Sequence, residues 1–471
     1  MTMHIPRPGW RPLALAVLAA IVAASVEIPG VAGAQNPPPG PAPQQPAAIG
    51  VRISGDPGVA PRYAVPEFLA LTPNAAEAAK MISQVLWDDL NFEREFYMIP
   101  RDTASSVPTP SAPERMNFDA WRELGADAVF FGTVAQKGED LLVQVRLFNV
   151  STRQAVFAQE YTVRARSARQ IPHTVSDAIH EQQAGFKGVA RTRLAFISDR
   201  NNESILGAYN KRNVKEVYVA DYDGASQQRI TTTRQLNLNP SWSADAKAVA
   251  YAGFRNDRGA ELFLSFIYTG VLQNLTKGQF ASGVAMPVFS PDGKQALFAA
   301  SPPNGSAHDL WVMNVDGSNL RRLTTHPDSE TSPTWSPSGT QIAFVSDRLG
   351  VGREQIFIMN VDGSGLYRLP IPDNQVDRPT WAPAPYNEIA YTARTGPGYD
   401  IKVHELTTGT TRQLTFGEGT NESPAYSPNG RHLAFTSTRA GNVQVFTIAR
   451  DGNGVRQITR VGANQTPDWS N

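Results

Sequence analysis

Residues 332–369 set the pattern that the C-terminal part of the chain repeats. Apolar positions fall in short runs at 333–335, 342–346, 355–360 and 366–369. Turn residues separate them: Pro-Ser-Gly at 337–339 and Asp-Gly at 362–363. Short apolar runs bounded in this way predict strands. Asp-Gly between two of them predicts a hairpin, because Gly takes positive φ without steric cost and Asp bonds its own backbone. The unit is therefore four short strands.

The unit recurs. Its leading proline stands at Pro240, Pro287, Pro333, Pro379, Pro424 and Pro467, at intervals of 47, 46, 46, 45 and 43 residues. An aromatic residue follows two positions later each time: Trp242, Phe289, Trp335, Trp381, Tyr426 and Trp469. Four strands at a period of roughly 40–50 residues predict a β-propeller. The first unit, opening at Arg193-Leu-Ala-Phe-Ile-Ser198, lacks a Pro-x-aromatic strand before it, and Pro467-Asp-Trp-Ser-Asn471 has no second strand after it. The C-terminal strand therefore completes the first blade and closes a ring of six. Closure protects the sheet edges.

Upstream, the pattern changes to a mixture of periods, and residues 49–185 predict a smaller α/β domain. Strands are expected over 63–71 (despite Pro66), 96–99 and 127–134, with a hairpin over 141–150 and 155–164. Ile82, Val85, Leu86 and Leu90 share one helical face, and Asn74 with Glu77 three residues on offers a capping box for that helix. Further helices are expected over 118–124, stopped by Gly125, and 168–183. The order β-α-β-α-β-β-β-α predicts a small sheet with helices packed on it. The fold class is thus mainly β: a six-bladed propeller over 193–471 behind an α/β domain, joined by a short linker at 186–192.

Composition and charge narrow the function. The 471 residues carry 43 basic and 43 acidic side chains and no Cys. Zero net charge argues against a nucleic-acid binder. Without Cys there is no disulfide, lipid-anchored cysteine, thiolate metal site or cysteine nucleophile. Residues 1–34 predict a cleavable secretory signal: Arg7 and Arg11 precede an apolar run over 13–24, and Ala32-Gly33-Ala34 offers a cleavage site before Gln35. The run is too short for a membrane span, which needs about 20 apolar residues. Residues 35–48 are Pro-rich and predict an extended, solvated tether.

Few residues propose themselves for chemistry. Asp223, Asp292, Asp316, Asp362 and Asp451 each precede Gly, but none shows the Asp-x-Asp-x-Asp-Gly spacing of a calcium loop. Turn chemistry accounts for them. The Trp residues of the repeats read as packing between blades. His173 and His180 are seven apart, not at the i, i+3 or i+4 spacing of paired ligands, and His308, His326, His404 and His432 occupy different places in their blades. No metal site or cofactor is expected. Nucleophile-elbow, phosphate-loop and His-Glu-x-x-His motifs are absent.

Geometry then supplies the candidate site. In a propeller the segments entering the innermost strands converge around the central channel. Here they are Leu238-Asn239, Ala285-Met286, Thr331-Ser332, Asp377-Arg378, Glu422-Ser423 and Gln465-Thr466, with Glu330 and Asn421 beside them. This mixture of polar, charged and apolar groups suits docking of a protein or peptide. Asn239, Ala285, Met286, Glu330, Thr331, Asp377, Arg378, Asn421, Glu422 and Gln465 are the expected partner-binding residues. A secreted propeller enzyme or carbohydrate-binding protein is the alternative.

The chain resembles the TolB family, periplasmic components of the Tol–Pal system. Phe289-Ser-Pro-Asp-Gly-Lys294 and Leu310-Trp-Val-Met-Asn-Val-Asp-Gly-Ser318 are similar to its blades. Leu124-Gly-Ala-Asp-Ala-Val-Phe-Phe-Gly132, Val143-Gln-Val-Arg-Leu-Phe-Asn-Val150 and Gly188-Val-Ala-Arg-Thr-Arg-Leu-Ala-Phe-Ile-Ser198 are similar to its central strand, its hairpin and its entry to the propeller. Val51-Arg52-Ile53 with Tyr63-Ala-Val-Pro-Glu-Phe68, and Ala168-Arg-Gln-Ile-Pro-His-Thr-Val-Ser-Asp-Ala-Ile179, are similar to its opening strands and last helix. The resemblance implies a non-enzymatic periplasmic protein, a monomer without direct membrane insertion after signal cleavage. It implies that the channel face binds the peptidoglycan-associated lipoprotein Pal, that the N-terminal region communicates with the inner-membrane protein TolA, and that the assembly supports outer-membrane integrity and constriction at division. Thr331 matches a family position in the Pal-binding loop. The loop Ala281-Ser-Gly-Val-Ala-Met286 departs from the family's polar, His-containing segment.

Overall fold

The computed structural model describes residue 53 and residues 59–206, 211–255, 259–280, 283–303, 305, 307–350 and 352–471. The expected signal and tether, Val51 and Arg52, and Ala281 and Ser282 lie outside them.

The N-terminal part is one mixed sheet with helices. Its elements are β1 (Arg62–Ala64), β2 (Leu69–Ala70), α1 (Ala76–Glu93), β3 (Tyr97–Met98), α2 (Arg101–Ala104), α3 (Phe118–Glu123), β4 (Ala128–Lys137), β5 (Asp140–Asn149), β6 (Ala155–Arg164) and α4 (Gln170–Ile179). The sheet order is β3-β1-β4-β5-β6, with β2 also on β4; β1 runs parallel to β3 and β4, and β4-β5-β6 is antiparallel. Ile82, Leu86 and Leu90 of α1 are fully buried. They pack with Tyr63, Phe130, Val143, Val145 and Leu147 of the sheet and with Ile171, Val175 and Ile179 of α4. Each such side chain contributes about 1.5–3 kcal/mol on burial.

Three expectations are corrected here. The strand over 63–71 is two short strands, β1 and β2, separated at Val65–Phe68; Pro66 has no N–H to give to a ladder. The capping box at Asn74 does not form. Pro73–Ala75 is a 3-10 turn leading into α1, and no side chain caps the helix. Pro73 sets a helical φ one residue too early, so Asn74 lies inside the turn instead of at the extended residue a cap requires. The helix over 168–183 is regular only as α4, and His180–Ala184 is a π-turn closed by Gly185 at φ 81°.

Gly132 of β4 fixes how closely the chain after β1 lies on the sheet. A Cβ there would stand 2.2 Å from the Phe68 ring. Gly132→Ala is expected to cost about 1–3 kcal/mol through overpacking, read as a lower urea midpoint. Phe68→Leu in the same chain should recover part of the loss.

Six four-stranded antiparallel sheets follow. Their inner strands are Asn237–Trp242, Val284–Phe289, Glu330–Trp335, Val376–Trp381, Asn421–Tyr426 and, for blade one, Asn464–Trp469. That last strand pairs antiparallel with Arg193–Ser198, so the C-terminal segment completes the first blade as expected. Trp242, Trp335 and Trp469 are buried between blades. The Asp-Gly turns are built as the sequence implies: Asp292, Asp316, Asp362 and Asp451 accept from the backbone two residues on at 2.8–3.1 Å. The glycines that follow have φ of 71–89°. A further device recurs. Arg200, Arg348 and Arg439 each leave the second strand of a blade and lie over aromatic rings of the same blade, at 4.4 Å from Tyr218, 4.6 Å from Phe357 and 5.3 Å from Phe446.

The two parts meet through buried polar groups. Asp89 of α1 accepts from His173 Nδ1 at 2.8 Å and from the Tyr222 hydroxyl at 2.7 Å. Glu93 accepts from the Val189 backbone at 3.1 Å and from Asn429 at 2.9 Å, with Arg431 at 3.4 Å. Phe92 stacks on His432 with ring centroids 4.1 Å apart. Burial pushes the Glu93 carboxyl up to about 7, Arg431 being the main group that opposes it. Burial also pushes His432 down to about 3, so the ring is neutral.

Candidate partner-binding face

All six inner strands begin on one end of the propeller, and each carries a bulge directly after it starts. The register slips between Leu238 and Ser241, Ala285 and Val288, Thr331 and Thr334, Asp377 and Thr380, Glu422 and Ala425, and Gln465 and Asp468. The residue before each repeat proline takes the slack in the left-handed region: Asn239, Met286, Ser332, Arg378, Ser423 and Thr466 have φ of 47–56°. Left-handed backbone costs a non-glycine residue roughly 1–2 kcal/mol, and the bulge re-aims its side chain. The repeated result is a ring: these six residues and the six prolines line a single axial cavity of about 130 Å³. So small a cavity cannot admit a folded partner, so docking would use its mouth.

The mouth is knitted by polar contacts between blades. With its amide oxygen facing the guanidinium, Asn239 of blade two accepts from Arg378 of blade five at 2.7 and 2.9 Å. The bond therefore spans the channel. Ser332 donates its hydroxyl to Asp377 at 2.6 Å, and its backbone N–H lies 3.1 Å from Met286 Sδ. Within blade one, Lys215 donates to Gln465 at 2.6 Å. Partial burial of its carboxyl raises Glu422, Asp377 adding to the effect and Arg378 opposing it. The connections that feed the inner strands of blades six and one carry exposed Phe416 and Val461, 73% and 62% accessible.

The expected residues separate into two groups. Asn239, Met286 and Arg378 line the channel itself. Ala285, Thr331, Asp377, Glu422 and Gln465 each precede a channel-lining position and are half-buried or exposed. Glu330 and Asn421, by contrast, are fully buried. They lie beneath the face, where Glu330 accepts from Arg348 at 2.9 Å and Asn421 from Arg439 at 3.0 Å. Ser332, Ser423 and Thr466 join the channel lining as the residues before their prolines. Lys215 had no sequence signal, because it stands just before the third strand of blade one, Glu216–Asp221. Among the described residues no group of His, Asp and Glu side chains could hold a metal ion, and no helix is long and apolar enough to cross a membrane.

Comparison with known proteins settles the family. The TolB beta propeller domain model matches residues 180–471, and the TolB amino-terminal domain model matches residues 50–156. The chain belongs to the TolB family. Within it, a Tol-Pal system protein TolB of Ruthia magnifica subsp. Calyptogena magnifica is 36% identical over 84% of this chain and 89% of that one. A second, from Desulfosudis oleivorans, is 32% identical over 55% of this chain and 57% of its own. Two further TolB relatives are matched over about half their length, 43% and 48%. The crystal structure of TolB from Acinetobacter baumannii superposes with a TM-score of 0.71 at 25% identity, covering 88% of this chain and 97% of that one.

Proposed function

We propose that this TolB-family chain is a non-enzymatic periplasmic scaffold of the Tol–Pal system. It docks a Pal-like lipoprotein on the channel face and engages a TolA-like inner-membrane protein through its N-terminal region. By holding the two together it supports outer-membrane integrity and constriction at division. The observation that carries the reading is the ring of bulged strand starts, which turns polar and apolar side chains from all six blades toward one mouth. A mouth of this kind offers a central cluster with a polar rim, the anatomy of a protein-docking surface. Exposed Phe416 and Val461, on the connections that feed the inner strands of blades six and one, supply apolar area of the sort that anchors a partner.

Calorimetric titration of the mature protein with the soluble domain of its own organism's Pal tests this. The chain should bind saturably, and Thr331→Arg together with Asp377→Arg should weaken binding at least about 30-fold, as central interface substitutions do. Binding that survives both changes would move the site off this face. Absence of binding by the unaltered chain would remove the lipoprotein as partner.

A further inference from the structure

An open slot runs beside β2 in the N-terminal sheet. β1 has a neighbour on each side, β3 and β4, but β2, which continues the line of β1 along β4, has β4 alone. The row that β3 begins stops short of β2. Ile99 N–H still donates to the Tyr63 carbonyl at 2.9 Å, and then Pro100, which has no N–H, turns the chain into α2. The carbonyls at this corner are used locally. That of Ile99 accepts from the Trp87 indole at 2.9 Å, and that of Pro100 accepts from Ala104 N–H at 2.9 Å.

The space beside β2 is a cavity of about 660 Å³. Val65, Phe68, Ala104 and Val107, all buried, give it apolar walls. The Thr109 hydroxyl, 3.4 Å from the Glu67 carbonyl, ties the segment after α2 to the chain before β2. Arg101, the first residue of α2, lines the cavity too, and its Nη1 is buried with no hydrogen-bond partner among the described residues. A buried charged donor without an acceptor destabilises a fold. Its planar fork is the shape that a carboxylate fills. Glu67 and Asp102 also line the cavity, but both are exposed and neither pairs with Arg101.

We propose that this slot binds the free carboxyl terminus of an extended peptide. The peptide lies beside β2 as the strand that the sheet lacks there, the way an open edge is augmented. Its apolar side chains cover Val65 and Phe68, and its terminal carboxylate meets Arg101. The corner at Pro100 sets which part of a peptide fits. α2 closes the slot there, so a strand laid along β2 reaches Arg101 with its end. A guanidinium repels an amino terminus and accepts a carboxyl terminus. Glu67 and Asp102 disfavour acidic side chains along the peptide, which confines its negative charge to that end. Ala76, the first residue of α1, lines the slot, whereas Glu93, the last, meets the propeller. The 18 residues of α1 hold the two about 27 Å apart along the helix, so a peptide bound here leaves the channel face free.

Calorimetric titration of the full mature chain with the peptide acetyl-Lys-Val-Ala-Val tests this, against the same peptide ending in a carboxamide. The free acid should bind saturably, and the amide at least about tenfold more weakly, the loss expected of a hydrogen bond to a charged group. Arg101→Met should weaken binding of the free acid by a similar factor. Its urea midpoint should match or exceed that of the unaltered chain, because no native partner is lost. Ser105→Trp, at an exposed lining position, should block the slot. Where Arg101→Met lowers the midpoint or fails to fold, Ser105→Trp and the amide decide. Equal binding of acid and amide overturns the proposal. So does binding that survives Ser105→Trp, or the absence of saturable binding at millimolar peptide.

Discussion

A chain ending at Val461 is expected to lose the cooperative fold of its propeller. The missing strand, Asn464–Trp469, is the inner strand of blade one. Its removal strips Trp469, which is 6% exposed and packs with Val189, Leu194, Tyr222 and Ala434. It also deletes the bonds that tie the end of the chain to the start of the ring. The Trp469 indole donates to Thr192 at 2.7 Å, and Ser470 exchanges bonds with the Arg193 backbone at 2.8 Å. Neighbouring blade two loses a contact as well, because Trp242 N–H donates to Asp468 at 2.7 Å. Loss of one buried Trp alone costs about 3–5 kcal/mol, a large share of the stability of an ordinary domain. An unpaired Arg193–Ser198 would also be an open sheet edge. Thermal unfolding followed by circular dichroism should show no sharp transition, and a peptide of residues 460–471 added in trans should restore one. A truncated chain that unfolds like the full one would show that closure contributes little.

Arg431→Ala is expected to cost about 3–5 kcal/mol at pH 8, since it leaves a buried carboxylate without its cation. Arg431 lies 3.4 Å from Glu93 and 2.7 Å from Glu95, and it also donates to the Glu93 carbonyl at 3.2 Å. Glu93 is 3% exposed and already pushed up to about 7 by burial. Without the guanidinium its carboxyl should rise further and protonate more readily. A raised carboxyl favours the folded state at low pH and loses that advantage as pH rises. The cost of the substitution should therefore shrink from pH 8 to pH 5, and Glu93→Gln in the Arg431→Ala chain should recover part of it at pH 8. Urea unfolding at both values reads this. A loss of the same size at every pH would assign the effect to packing of Arg431 over the Phe186 ring, 4.2 Å away.

The propeller was legible in the sequence because each blade must build the same turns from the same residues. Pro-x-aromatic, Ser-Pro-x-Gly and Asp-Gly recur at a fixed period, and each has a local physical cause. The channel mouth was legible only as a location. Counting back from each proline finds the right segment, but burial depends on the bulge, which turns Asn239 and Arg378 toward the axis and leaves Glu330 and Asn421 underneath. The junction of the two parts left no trace in the sequence. Glu93 and Arg431 are 338 positions apart and belong to no motif, and Asp89 gains meaning only once Tyr222 is brought to it. Local expectations failed where one proline outranked a pattern: Pro66 split a strand, and Pro73 displaced a cap.

The strut from Arg378 to Asn239 has a consequence for whatever settles on that face. It clasps opposite blades across the axis and so lies over the hole in the ring. It also holds the rim in shape before any visitor arrives. Binding to such a surface has little ordering left to do, and the entropy that a loose set of loops would surrender on contact has already been given up during folding.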